Sequence, residues 1–122
     1  MATTDQTTSG RVVRSMQMYE RLLELIPGGT QLISRRPTRY ALGISPVVAS
    51  HGKGARIWDV DGNEYIDWAS GIGSIILGYA DEVVDEAVCA QIAKGTNFSI
   101  THELELELAE LLVERIPCAE MV

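Results

Sequence analysis

Lys53-Gly54-Ala55-Arg56-Ile57-Trp58-Asp59-Val60-Asp61-Gly62-Asn63-Glu64-Tyr65-Ile66-Asp67-Trp68 is the stretch that decides the fold. Two short apolar runs, Arg56–Trp58 and Tyr65–Trp68, flank an Asp-Val-Asp-Gly-Asn turn, and a Gly-Lys-Gly turn precedes them. Asp and Asn favour turns by bonding their own backbone, and Gly reaches positive φ without steric cost. With Pro46–His51 upstream, the pattern predicts a three-stranded antiparallel meander filling Pro46 to Trp68.

Outward from the meander the apolar period changes from two to about 3.6. Upstream, Met18, Leu22, Leu25 and Ile26 recur at spacings of three and four, predicting a helix from Ser15, its expected cap, to Ile26. Pro27-Gly28-Gly29 ends it, because proline cannot continue the ladder and glycine accepts the left-handed cap. Thr30 to Ser45 is a long loop holding Arg35, Arg36 and Arg39. Residues 1–14, rich in Thr with no apolar period, are expected to form a mobile tail.

Downstream, Ala69–Tyr79 mixes three glycines with small apolar residues and reads as a closely packed loop and turn. Asp81 is the expected cap of a helix to about Lys94 with Val84, Ala87, Val88, Gln91 and Ile92 on one face, and Gly95 follows as its C′ residue. Thr101 is the expected cap of a last helix, His102 to Ile116, with a Leu104, Leu108, Leu111, Leu112 stripe and Glu103 and Glu105 suited to its N-terminal dipole. Cys118–Val122 reads as the entry to a further strand. The fold class is therefore α+β: a helix, an antiparallel meander, then two helices. The organisation is a tail at 1–14, a minor-domain helix and sheet at 15–80, and helices at 81–122 leading toward a larger domain.

Composition narrows the function. The 122 residues carry a net charge of −7, against the basic stripe usual for nucleic-acid binding. No apolar run approaches the ~20 residues needed to cross a bilayer. The polar start lacks the basic and apolar regions of a secretory signal, so a cytoplasmic location is expected. Cys89 and Cys118 have no metal spacing and are expected to be free thiols packed as small apolar groups. His51 and His102 stand apart from any zinc pattern. The Ser70–Gly78 glycines match neither G-x-G-x-x-G nor a P-loop, so close packing is the better reading than a phosphate cradle. Lys53, between glycines in a hairpin turn, and Lys94, at a helix C-terminus, are poor Schiff-base candidates, since neither is placed for desolvation.

The wording of several motifs is more specific than their physics. Ile26-Pro27-Gly28-Gly29, the block Gly52–Asp67, Ile76-Leu77-Gly78-Tyr79, Thr101–Glu110 and Ile116-Pro117 occur in an order and spacing that resembles the class-III (subgroup II) aminotransferases, the pyridoxal-phosphate (PLP) enzymes that include glutamate-1-semialdehyde aminomutase. The resemblance implies the N-terminal part of a fold-type-I enzyme, usually an obligate homodimer acting on a small-molecule amine or keto substrate. It also implies that the phosphate loop, the aspartate facing the pyridine nitrogen and the Schiff-base lysine lie beyond these residues. The cofactor is then PLP in the complete enzyme, with none expected on this chain alone and no catalytic residue within it.

By the same resemblance Arg35 takes the offset of the aminomutase's carboxylate-binding arginine, and Ser70, Gly71 and Ile72 lie in a loop lining the substrate side of the pocket. A planar bidentate donor suits a carboxylate. The chain departs from the aminomutase pattern at Thr30–Pro37, has Ile72 where that enzyme has an active-site tryptophan, and has Tyr79 for the usual histidine. Those departures favour a related aminotransferase with another amine or keto substrate. A small non-catalytic oligomerising domain derived from that family stays open at this point.

Overall fold

A computed structural model describes residues 10–122, so residues 1–9 of the expected tail lie outside the described residues. The α+β order is as expected: α1 (Val13–Leu25), a sheet of β1 (Ala49–Lys53), β2 (Arg56–Asp59) and β3 (Glu64–Ile66), then α2 (Glu82–Ile92) and α3 (Glu103–Arg115). Single 3-10 turns occupy Pro27–Gly29, Ile33–Arg35, Pro37–Arg39 and Ser70–Gly73. The chain divides into two compact units, one up to Glu82 and one from Val83 to Val122. Among the described residues no helix is long and apolar enough to cross a membrane.

In the first unit the strands run antiparallel in the order β1-β2-β3. Lys53 pairs with Arg56 across the two-residue Gly54-Ala55 turn, and Arg56 with Ile66, Ile57 with Tyr65 and Trp58 with Glu64 across the second hairpin. A register shift between Ala49 and His51 bulges β1 near its start, leaving His51 opposite Trp58. Their rings stack with centroids 4.7 Å apart and planes 3° from parallel. Arg56 and Glu64 form a salt bridge on the same hairpin.

The start of α1 differs from expectation, and the difference explains how helix and sheet are joined. The helix begins at Val13 with Val12 at the N-cap position and no side-chain cap from its own segment. Ser15 is therefore inside the helix and buried, not its cap. The cap comes from the β2–β3 turn. Asp61 Oδ1 accepts from the Arg14 amide at 2.7 Å, and Asp61 Oδ2 accepts from the Ser15 amide at 2.8 Å and the Ser15 hydroxyl at 2.5 Å. A carboxylate on the first-turn amides satisfies donors that the helix leaves orphaned and complements the positive end of its dipole. The Asn63 side chain adds a second clasp, donating to the Arg11 carbonyl at 2.6 Å. Residues 10–14, expected to be tail, are thus tied to the turn, and Val12 is fully buried.

Tyr19 is the other buried hydrophobic side chain among the described residues, and Gly29 lies against it. A Cβ at Gly29 would sit 2.5 Å from Tyr19 Cε2, so the backbone passes close beside the aromatic ring there. Around this small core many apolar side chains stay exposed, Trp68 at 90% and Ile76 at 82% of their free area.

In the second unit α2 ends as the Gly95 amide bonds the Gln91 and Ile92 carbonyls, both at 3.1 Å. The cap of α3 is His102 instead of Thr101: its Nδ1 accepts from the Leu104 amide at 3.2 Å, while Glu105 accepts from the His102 amide at 2.9 Å. This reciprocal pair is a capping box with imidazole in the usual place of a hydroxyl. The Phe98 ring stacks on His102 at 4.8 Å. Leu104, Leu108 and Leu111 are exposed, as are Cys89 and Cys118, which are free but not packed as expected. Residues 118–122 form no strand.

Candidate functional site

The site grows from the turn that follows β3. Asp67 Oδ1 accepts from the Ala69 amide at 2.8 Å, and the Ser70 amide adds to the field that favours the charged carboxylate. This Asx arrangement throws the chain into left-handed backbone at Ser70 (φ 45), Gly71 (φ 58) and Ile72 (φ 59). For glycine that conformation is ordinary. For serine it is uncommon, and for a β-branched isoleucine it is a true outlier, of a kind that costs about 1–3 kcal/mol and persists only where surroundings impose it. The consequence is that Ile72 is held 77% exposed at the tip of a tight turn.

Beside the turn lies an open cleft of about 190 Å³, lined by Gly54, Asp67, Ser70, Ile75, Leu77 and Tyr79 among others. Its floor is the bridge between Gly54 and Tyr79. The Gly54 amide donates to the Tyr79 carbonyl at 2.8 Å and the Tyr79 amide to the Gly54 carbonyl at 2.9 Å. Gly78 makes the close approach possible: at φ 94, a Cβ there would stand 2.9 Å from Gly54 Cα. Tyr79 then turns its hydroxyl onto Asp67 Oδ2 at 2.6 Å. That bond, ahead of the opposing effect of burial and with help from the Ala69 and Ser70 amides, holds the Asp67 carboxyl below its ordinary pKa. The same bond, then burial and the Asp67 charge, pushes the Tyr79 phenol up, while the Arg35 charge pulls it the other way.

A second Tyr–Asp pair sits in the hairpin. Asp59 is only 2% exposed. Its Oδ1 accepts from the Asp61 and Asn63 amides at 3.0 and 2.8 Å, and its Oδ2 from Asn63 Nδ2 and the Tyr65 hydroxyl, both at 2.9 Å. Burial pushes the Asp59 carboxyl up, but these donors outweigh it and leave it below its ordinary value. For Asp61, partial desolvation is likewise outweighed by the Ser15 hydroxyl, the two amides and the Arg14 charge. Burial and the Asp59 bond push Tyr65 up.

These shifts set a pH window. The three lowered aspartates contribute stability that is present above about pH 4, the unfolded carboxylate value, and lost as pH falls through their folded values. The two raised tyrosines contribute stability present below about pH 10 and lost as pH rises through their folded values. The contribution of these five groups to the urea midpoint should therefore be flat from about pH 5 to 9 and fall on both sides. A midpoint unchanged down to about pH 2 would contradict the Asp59 and Asp67 networks.

Of the residues singled out from sequence, Ser70, Gly71 and Ile72 fall together in one turn, with Ser70 lining the cleft. Arg35 comes from a separate 3-10 turn and is exposed, its charge reaching the Tyr79 phenol. Sequence reasoning did not single out Asp67, although Asp67-Trp68-Ala69-Ser70 is an Asx-turn pattern, nor Tyr79 as its partner. Lys53 Nζ donates to the Ala80 carbonyl at 2.9 Å and lies 3.5 Å from Glu82 Oε1. Among the described residues no group of three or more His, Cys, Asp or Glu is placed to hold a metal ion. The arrangement presents an apolar tip beside a cleft whose carboxylate already accepts from the Ala69 amide and the Tyr79 hydroxyl.

Comparison with known proteins gives consistent relatives. The class-III aminotransferase family model matches residues 40–122. The chain is 46% identical over 112 residues to 3-aminobutyryl-CoA aminotransferase of Cloacimonas acidaminovorans, covering 91% of this chain and 27% of that protein. It is 41% identical over 111 residues to a glutamate-1-semialdehyde 2,1-aminomutase of Exiguobacterium sp., covering 89% and 25%. A solved transaminase with PLP bound matches with a TM-score of 0.73 at 35% identity, over 84% of this chain and 23% of that one. The chain spans about a quarter of the length of the curated relatives it matches.

Proposed function

Because the chain belongs to the class-III aminotransferase family, we propose that it is the N-terminal portion of a PLP-dependent enzyme that moves an amino group between an amino compound and a keto acid or aldehyde. The observation that carries this reading is the family match over residues 40–122. PLP, when bound, supplies the electron sink for such chemistry. We read the residues in hand as supplying neither its phosphate site nor its anchor. In the Ser70–Gly78 segment the Ile72, Ser74, Ile75 and Gly78 amides are each bonded to a carbonyl of the same loop, so they do not form an open cradle. Lys53 is taken up by Ala80 and Glu82, and Lys94 is exposed. We assign the cofactor contacts to the rest of the polypeptide, and to a homodimer acting in the cytoplasm.

This chain's own part is to shape the substrate side. Ser70, Gly71 and Ile72 form a left-handed turn with an apolar tip, Ser70 lining the cleft, and Arg35 offers a fork for a substrate carboxylate. The non-catalytic oligomerising alternative rests on the same exposed apolar side chains and requires no amino transfer.

In the complete enzyme, Arg35→Ala should raise KM for carboxylate-bearing amino donors by about tenfold or more, the loss of one charge-assisted hydrogen bond. An amine lacking a carboxylate should be affected little. Equal KM values for wild type and variant with acidic substrates would remove Arg35 from the site. Absence of amino transfer from every amine donor offered to the complete protein would remove the proposal itself.

A further inference from the structure

We infer that Tyr79 is a positioning residue that clamps the strained Ser70–Gly73 turn in place through Asp67. Five observations converge on this residue. Its hydroxyl donates to Asp67 Oδ2 at 2.6 Å. The other oxygen of the same carboxylate receives the Ala69 amide at 2.8 Å, with the Ser70 amide adding to the field on the carboxylate. Those two amides open the segment in which Ser70, Gly71 and Ile72 are all left-handed. The backbone of Tyr79 is itself locked to Gly54 by two hydrogen bonds. Its ring lies over Gly52, where a Cβ would stand 2.4 Å from Tyr79 Cγ and 2.8 Å from its Cβ, so the space for the ring exists only because residue 52 is glycine.

The chain of force runs from the sheet outward: the β1–β2 turn fixes the Tyr79 backbone, the Gly52 gap admits its ring, the hydroxyl fixes Asp67, and Asp67 fixes the first two amides of the turn. Left-handed isoleucine does not hold itself there, because an L-residue with a branched Cβ relaxes to negative φ when released. A phenol in this place also has reach that a smaller ring lacks. The kinetic part of this inference rests on the reading of the turn as a wall of the substrate pocket; the structural part does not.

The test uses the full-length natural protein. Tyr79→Phe keeps the ring and removes only the hydroxyl. Native-state hydrogen exchange at the Ala69 and Ser70 amides should then quicken by about tenfold or more, the loss of one charge-assisted bond. Amides of β2 and β3 should keep their wild-type rates. KM for the amino donor should rise with kcat changed less than about twofold, because the wall loosens while the reacting groups stay. Gly52→Ala, which keeps the hydroxyl but drives a Cβ into the ring, should reproduce both effects.

Unchanged exchange at Ala69 and Ser70 in Tyr79→Phe would overturn the inference. Faster exchange with KM unmoved would support the clamp and refute the substrate-wall reading of Ser70–Gly73, so the two failures are told apart. A uniform rise in exchange across the sheet would also overturn it, since Tyr79 would then be a general stabiliser and not a holder of this turn.

Discussion

Asp59→Ala is expected to destabilise the first unit by about 3 kcal/mol. Four donors converge on this carboxylate, and it is only 2% exposed. Alanine leaves the Asp61 and Asn63 amides, the Asn63 side chain and the Tyr65 hydroxyl without their acceptor. Leaving one such donor unpaired costs about 1–3 kcal/mol, and water entering the vacated space recovers part of the total. The loss spreads, because Asp61 and Asn63 hold the start of α1. Asp59→Asn retains one acceptor oxygen and should lie between the two. Asp85→Ala, at an exposed position of α2, should change stability by less than about 0.5 kcal/mol. Urea denaturation of all three settles the order, and an Asp59→Ala midpoint equal to that of Asp85→Ala would refute the network.

Gly78→Ala is the second large effect, and it separates two kinds of glycine. Gly78 has φ 94, and an added Cβ would lie 2.9 Å from Gly54 Cα and 3.0 Å from its carbonyl atoms. Those are backbone atoms of a hydrogen-bonded turn, so they cannot swing aside as a side chain would. Gly62 has a similar φ of 85, with nothing within 4 Å of a built Cβ. Gly62→Ala should therefore cost only the conformational penalty, about 1 kcal/mol, while Gly78→Ala adds the collision and should reach about 3 kcal/mol. The signature beyond stability is local: Gly78→Ala should abolish exchange protection of the Gly54 and Tyr79 amides, which bridge the two segments. Equal losses for the two variants would mean that the Gly54–Tyr79 approach is not held in solution.

Much of the architecture was legible because it is written in short-range patterns. The Asp-Val-Asp-Gly-Asn turn, with strands on both sides, needs only Asx chemistry and glycine to be read, and Asp59 does accept from the backbone two and four residues on. The helices α2 and α3 follow from apolar period and flanking Gly95 and Pro117. What escaped is what depends on partners far along the chain. Ser15 looks like a cap in its own segment, yet the donor set it belongs to is completed by Asp61, 46 residues away. Thr101 looked the better cap because hydroxyls usually serve, but His102 has its Nδ1 on the Leu104 amide. The exposure of Cys89 and Cys118 has no local signal at all.

The site was legible unevenly for the same reason. The glycine pattern reads as a closely packed loop and turn over Ala69–Tyr79, but does not say that Ile72 is left-handed beside Gly71. Asp67, ahead of this turn, meets a partner 12 residues downstream in the Tyr79 hydroxyl, which no local pattern signals. Arg35 stands out through the arginine cluster of its loop and through the family resemblance.

The central claim is that these 122 residues are one part of a larger aminotransferase, supplying a substrate-side wall to a cofactor held elsewhere. The intact mass of the protein isolated from its natural source tests it most directly. The account predicts a mass about four times the 13.3 kDa of this chain, in line with relatives of which it spans 27% and 25%. A native mass of 13.3 kDa would contradict it and leave a small non-catalytic domain in its place.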